Sequence, residues 1–506
     1  MIHGQVLIFY SLAQAGIVPN IPIGWVAPFV AMLAAIAIMP FVHKHWWEKN
    51  YPFVAAGLAA LASWPYLSGH APIGRWVEGM TDYVSFIILL GSLYVISGGI
   101  VIKVQRKATP LMNCTLLLMG AVLANLLGTT GASMLLIRPY LRMNRTHLRP
   151  YHIVFFIFLI SNVGGSLTPV GDPPLFLGYL MGVPFWWVLD HMRWIWGTAV
   201  GALLVIFFVI DTFDHRKEAR HHEHDGGATV QIVGIHNILL VLAVVAAVFQ
   251  QGFFDVIDQI HHGAHGMVMV WQLITSREVI MLAAAAISRI VTGKSIYQTN
   301  EFSIGPIREV AILFIGIFAT MVPATQYMQA NAARIPLRTP AHFYFTSGVL
   351  SSVLDNAPTY KTLLETRLGE VDPGQIEQAR GWLDRMADAR NKQIPTEVPQ
   401  GTVRQALEAI VRYHPDDAAE GKVSDEQLQV AFQIGVPDWN WFVIAISAGS
   451  VFWGACTYIG NGPNFMVKSI ADASGAVTPG FGEYIWKYTL PVLIPVYLLI
   501  WLIFFR

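Results

Sequence analysis

Long apolar runs alternate with short polar stretches along the whole chain, and most approach the roughly 20 residues a helix needs to cross a bilayer. Residues 23–42 form the first, followed by a polar turn at 43–50. Residues 53–67 predict a return, and residues 83–102 a third crossing that ends beside Lys103, Arg106 and Lys107. The apolar run 111–137 is interrupted by Asn-Leu-Leu-Gly-Thr-Thr-Gly at 125–131, and a second basic group follows: Arg138, Arg142, Arg145 and Arg149. Basic loops collect on the cytoplasmic side of a membrane. A run with basic residues at both ends therefore enters and leaves on one side, which predicts a re-entrant hairpin with its tip at 125–131.

Residues 151–181 are apolar at both ends, but Gly164, Gly165, Pro169, Gly171, Pro173 and Pro174 in the middle argue against a continuous helix. Residues 186–210 return to a third basic loop, 215–224, where the alternation requires one. The second half predicts spans at 233–249, 279–291 and 307–322, then a polar-centred apolar run at 343–364 read as a second hairpin, open to the outer face. A hydrophilic helical insert at 365–436, expected on the outer side, precedes an apolar run at 439–470 broken at 458–465, and a closing span at 484–505. Both halves share one order: spans, a hairpin with a polar tip, a span broken by Gly and Pro. The chain thus reads as an all-α polytopic membrane protein of two inverted repeats. Its segments are 1–110 (scaffold helices), 111–210 (first hairpin, broken helix and following span) and 211–341 (linker and second scaffold helices). They continue with 342–364 (second hairpin), 365–436 (insert) and 437–506 (second broken helix and closing span). Opened backbone at membrane depth is tolerated only where protein buries it or it lines a cavity. Paired interrupted helices of this kind mark the site of secondary transporters.

Composition agrees. Only 13% of the 506 residues are charged, against about 25% in an ordinary soluble protein. Formal net charge is zero, which gives no reason to expect a nucleic-acid partner. Cys114 and Cys456 both lie in apolar runs and suggest neither a disulfide framework nor a zinc site. Residues 6–15 lack a basic leader and read as a short retained helix rather than a signal peptide. The histidines of 215–224, and His261, His262 and His265, read as solvated surface. No nucleotide loop, paired catalytic motif or zinc spacing lies inside the spans, so an enzyme is not expected.

Two carboxylates are predicted at membrane depth, Asp172 in the first break and Asp355 at the second hairpin tip. An ionised Asp there is costly and faces a cavity or a partner. A carboxylate that alternately holds Na⁺ and H⁺ supplies the minimum for cation/proton exchange. Neutral oxygens for a Na⁺ shell, the preference of hard cations, are available on both halves. They are Asn125, Thr129, Thr130, Ser133, Asn162, Ser166 and Thr168 on the first, and Ser351, Ser352, Thr359, Thr457, Asn461 and Asn464 on the second. The half-helix N-termini could instead receive an anion, with Lys361 or Lys468 supplying positive charge; Lys361 has Asp355 as an alternative partner.

At Asn-Val-Gly-Gly-Ser-Leu-Thr-Pro-Val-Gly-Asp-Pro-Pro (162–174), Ser-Ser-Val-Leu-Asp-Asn-Ala-Pro-Thr (351–359) and Thr-Tyr-Ile-Gly-Asn-Gly-Pro-Asn-Phe-Met-Val (457–467), the chain resembles the ion-transporter superfamily. That superfamily includes the divalent-anion/sodium symporters, arsenite-pump membrane subunits, citrate–metal transporters and NhaD-type sodium/proton antiporters. The resemblance implies an inverted-repeat fold with a scaffold and a transport domain that moves as an elevator. It implies a homodimer in the bacterial inner membrane, with no cofactor beyond Na⁺. Carried over by position, one ion site would comprise Asn125, Thr129, Gly164, Thr168 and Asp172, the other Asp355, Asn356, Thr359, Thr457, Asn461 and Asn464. The hairpin tips here lack the Ser-Asn-Thr of the dicarboxylate symporters, and Asp172 stands where those have Thr or Ser. Both differences favour Na⁺/H⁺ antiport. The extended run Gly-Asp-Pro-Pro-Leu-Phe-Leu-Gly-Tyr-Leu-Met-Gly-Val-Pro-Phe-Trp-Trp (171–187) resembles instead a branch described as citrate transporters, so the alternative is a sodium- or metal-coupled citrate or dicarboxylate carrier.

Overall fold

The computed structural model describes residues 21–105, 108–218, 229–250, 252–253, 256–257, 267–388, 393–395 and 397–506. The N-terminal run 6–15, the histidines 261, 262 and 265, and most of the 215–224 loop lie outside these residues. Among the described residues, seven helical segments are long and apolar enough to cross a membrane. Large apolar side chains such as Leu111, Trp194, Val205 and Trp486 are exposed on these helices, as lipid-facing surfaces require. The chain is an all-α polytopic membrane protein.

The first half begins with α1 (Ala27–Val42), α2 (Lys44–Leu67) and α3 (Ile73–Gly98). The polar turn expected at 43–50 shrinks to His43 alone, because residues from Lys44 on join α2. The third span starts ten residues before 83, since its charged first turns find partners inside the protein, and it ends in strand β1 (Val101–Gln105).

Helix α4 (Pro110–Met143) is long enough to read as one span, but it is folded back at Gly128, whose φ of 72° suits glycine. Its ends meet. The Ala108 amide donates to the Met143 carbonyl at 3.2 Å, and the Asn113 and Asn144 side-chain amides bond each other reciprocally at 2.9 Å. Asn113 also donates to Asp211 at 3.0 Å. This is the first hairpin, its mouth held shut by buried polar pairs. The first broken span follows: α5 (Pro150–Leu159), a 3₁₀ turn at Val163–Leu167, and α6 (Pro173–Leu180). The long α7 (Phe185–Glu218) returns to the basic face. There Arg149 donates to Asp214 at 3.2 Å, and β1 pairs antiparallel with β2 (Thr229–Val233). The described ends of all three basic loops therefore share one face.

In the second half, α8 (His236–Ala247) and α10 (Arg277–Val291) occupy the spans expected at 233–249 and 279–291. At 1.5 Å per residue they are only about 18 and 22 Å long, short of the ~30 Å hydrocarbon core. Both pack against α3 rather than standing as independent crossings. Short α9 (Met267–Ile274) and α11 (Lys294–Thr299) flank α10, and α12 (Gly305–Ala330) crosses fully. The second hairpin comprises α13 (Pro340–Val353) and α14 (Asn356–Leu368), turned at Leu354–Asp355 without a glycine. An ion pair between Arg338 and Glu370 at 3.5 Å bridges its open end. Its second arm continues to Leu368, past residue 364.

The insert contains α15 (Pro373–Asp388), α16 (Thr402–Tyr413), α17 (Pro415–Glu420) and α18 (Asp425–Gly435). Helix α18 is buried from Leu428 to Ile434, and Gln427 lies against Gly182, at the end of the first broken span away from the basic face. The two hairpins thus open to opposite faces, as an inverted repeat demands. The second broken span is α19 (Asn440–Trp453), a 3₁₀ turn at Gly454–Cys456, and α20 (Gly462–Ala473). Its gap, 454–461, takes in the first half of the expected 458–465 but begins earlier and ends before Pro463, which sits in the first turn of α20, as Pro173 does in α6, where the missing N–H costs nothing. The closing helix α21 (Phe481–Phe505) includes π-helical turns at Ile485–Leu493 and Trp501–Phe505.

Candidate functional site

The two breaks have the same construction. In the first, Gly165 and Gly171 stand so close that a Cβ on Gly171 would lie 2.1 Å from the Gly165 carbonyl oxygen. In the second, a Cβ on Gly460 would lie 2.6 Å from the Gly454 carbonyl oxygen. Between each pair a threonine ties the break to its hairpin: Thr168 Oγ1 donates to the Asn125 carbonyl at 2.7 Å, and Thr457 Oγ1 to the Ser352 carbonyl at 2.6 Å. Directly after each second glycine comes the residue that precedes the next helix, Asp172 before α6 and Asn461 before α20. The repeat extends to single residues.

Asp172 is the point where all four motifs meet. It is 1% exposed. Its Oδ1 accepts from Thr129 Oγ1 of the first tip at 2.6 Å and from Asn461 Nδ2 of the second break at 3.1 Å. Its Oδ2 accepts from Asn356 Nδ2 of the second tip at 2.5 Å. Two side chains come from the other half of the chain, so one carboxylate joins both repeats. The other amide oxygen, Asn356 Oδ1, is buried without a hydrogen-bond partner. An orphaned oxygen beside a carboxylate suits a cation or a proton donor.

Asp355 precedes α14, accepting from the Ala357 amide at 3.1 Å. It also lines a pocket of about 410 Å³ together with Thr130, Pro173, Asn461 and Pro463 from the motifs, while Tyr94 of α3 and Phe314 of α12 close it from the scaffold. The first turns of α6 and α20 therefore both border this pocket. No Lys or Arg lines it among the described residues.

Other candidate oxygens are braces. The Gly164 carbonyl accepts from Asn125 Nδ2 at 2.7 Å and from Trp196 Nε1 at 2.9 Å, which uses both of its lone pairs. Asn464 Nδ2 donates to the carbonyls of Gly454 at 2.8 Å and Thr457 at 2.9 Å, and its Oδ1 accepts from Asn162 at 2.7 Å. Ser133 pairs with Ser161 at 2.8 Å, Ser166 bonds the Val163 carbonyl, and Ser351 bonds the Ser450 carbonyl at 2.6 Å. Thr359 bonds back to the Asp355 carbonyl at 3.1 Å, and Ser352 to that of Val349. Neither lysine reaches the site. Lys361 pairs with Asp82 of α3 rather than with Asp355, and Lys468 pairs with Asp472 on its own helix at 2.6 Å. Trp196, three turns into α7, carried no signal in the sequence; only the fold brings its indole to Gly164.

A family model described as "Putative citrate transport" matches residues 18–505. No curated protein matches the chain. With that match over nearly its whole length, the chain belongs to this citrate-transport family, a family of membrane transporters, and is a multi-pass membrane protein.

Proposed function

We propose that the chain is a secondary active citrate carrier, coupled to sodium or another small metal cation and working by alternating access. The observation that carries this reading is the pocket bordered at once by two half-helix N-termini and by Asp355, with Asp172 joined to it through Asn461. Helix N-termini favour carboxylate groups, and buried carboxylates favour cations. With no lysine or arginine in the described lining, Asp355 would repel an unaccompanied tricarboxylate, so the compensating charge has to arrive with the substrate. Asp172, Asp355 and the free oxygen of Asn356 are the groups we assign to that cation, with Thr129, Asn356 and Asn461 holding Asp172 in place. In a bacterial inner membrane the basic face would be cytoplasmic and the insert outside.

The same lack of a cationic side chain favours a second reading, Na⁺/H⁺ antiport, in which Asp172 and Asp355 exchange the two ions and no organic anion enters. One experiment separates them. Purified protein in liposomes with an internal pH dye and an acid interior is given Na⁺, Li⁺, K⁺ or Mg²⁺ outside, with and without labelled citrate. Cation-dependent citrate uptake that disappears in Asp355→Asn supports the carrier. Alkalinisation on adding Na⁺ alone, without citrate uptake, replaces it with the antiporter.

A further inference from the structure

A second cavity, of about 380 Å³, lies between α3, α12, α14 and α18 and shares no lining residue with the Asp355 pocket. Arg75 and Glu78 of α3, Gln326 of α12, Lys361 and Glu365 of α14, and Glu426 of α18 all border it. The cations there are already committed. Arg75 pairs with Glu426 at 3.1 Å and lies 3.9 Å from Glu78, and Lys361 pairs with Asp82. Glu365 is left over. It is 3% exposed, and its Oε2 has no hydrogen-bond partner. Facing the same space is a second orphan, Nε2 of the 2% exposed Gln326, whose Oε1 accepts from Tyr66 at 2.5 Å.

Asp82, Glu365 and Glu426 thus share two positive charges, those of Arg75 and Lys361, which leaves one carboxylate in excess. An unpaired buried carboxylate is costly, and the cavity is polar and roomy enough for water. The remaining neighbours of α14 offer no further relief: the polar residues that α12 brings to the cavity, Thr325, Gln326 and Gln329, are uncharged, α6 and α19 carry no charged residue, and the one titratable imidazole of α13, His342, is exposed. Glu78, by contrast, is exposed and lines the same cavity, so the cavity reaches the surface beside it.

We infer that Glu365 is a proton-binding site of the transport cycle, loaded from the insert side through this cavity and separate from the Asp172–Asp355 site. The step is the uptake of one proton by Oε2, which turns an orphaned carboxylate into a neutral carboxyl able to donate. Its release follows when the second hairpin shifts against α3 and Lys361 exchanges Asp82 for other surroundings. As a coupling site this rests on the carrier reading above; as a proton site it stands on the cavity alone.

The test uses the full chain, purified and reconstituted. An imposed gradient of about one pH unit supports roughly tenfold citrate accumulation per coupled proton. Glu365→Gln, which mimics the protonated group permanently, is expected to abolish that accumulation, while the exposed control Glu377→Gln retains it. In parallel, infrared titration of the purified wild type reads the carboxyl C=O band directly and needs no variant to transport. A band that titrates and is missing in Glu365→Gln supports the site. Accumulation in Glu365→Gln equal to wild type, or the absence of any carboxyl band assignable to Glu365, overturns it. Wild-type protein that moves no citrate yet shows the Glu365 band would sink the carrier reading and leave the proton site standing.

Discussion

Three side chains from three separate motifs donate to the Asp172 carboxylate, so removing its charge should be felt at the site before it is felt in the fold. A hydrogen bond to a charged group is worth about 1.5–3 kcal/mol, and an ion contact of that order corresponds to roughly 10- to 150-fold in affinity. Asp172→Asn is therefore expected to weaken cation binding by that factor, read as the shift in the cation concentration that raises the melting temperature in detergent. The sign with pH follows from competition: if protons and cations seek the same carboxylates, cation affinity in the wild type is expected to fall as pH falls. In Asp172→Asn that dependence should flatten; an unchanged profile would remove Asp172 from the cation site. The neighbouring glycines behave differently. A methyl on Gly171 would collide with the Gly165 carbonyl, whereas one on Gly462 meets nothing within 4 Å. Gly171→Ala should cost about 1–3 kcal/mol or prevent folding, while Gly462→Ala should stay within about 0.5 kcal/mol. Thermal unfolding monitored by size exclusion distinguishes them.

Hairpin α4 is the element whose topology matters most, because its length alone would let it pass for a span. The reciprocal Asn113–Asn144 pair at its mouth predicts that Asn113→Cys/Asn144→Cys, with Cys114 and Cys456 replaced, forms a short cross-link within one chain. A through-span would hold those positions on opposite faces and give none. The hairpin was legible in sequence because two local signals agreed, basic residues at both flanks and a Gly-Thr-Thr-Gly interruption at the centre. The broken spans were legible for a similar reason, since Gly and Pro interrupt a helix wherever they fall. Boundaries were less so: Pro173 and Pro463 look like breakers, but each opens a helix, so the gap lies before it. What sequence could not supply were partners. Lys361 suggested a companion for Asp355 because the two are six residues apart, yet Asp82, from the other half of the chain, holds it. The charged turns of α3 read as the outside of a span for the same reason, since their partners on α14 and α18 lie hundreds of residues away. The shortness of α10 was visible in its apolar run, 279–291, whereas that of α8 was hidden inside 233–249, because an apolar run records that a helix is buried or lipid-facing and not how far it extends.

At the scale of the whole molecule, the hairpins and broken spans form one body around Asp172, and the helices α3 and α12 line both cavities that face it. If the proposed alternating access works as an elevator, these two bodies slide, and the sliding surface would include the contact between α3 and the second arm of α4. There a Cβ placed on Gly131 would lie 3.5 Å from Ser97 Cβ, within the range a disulfide spans. Ser97→Cys/Gly131→Cys in a background lacking Cys114 and Cys456 should therefore oxidise readily and bind the first hairpin to the scaffold. Transport in liposomes should stop on oxidation and recover with reductant, while cation binding to the locked protein persists, because the Asp172 shell lies wholly on the hairpins and broken spans. Full transport by the oxidised protein would mean that α3 and the hairpin travel together. The sliding surface would then have to be sought elsewhere, and Lys361 would keep Asp82 throughout the cycle rather than release it.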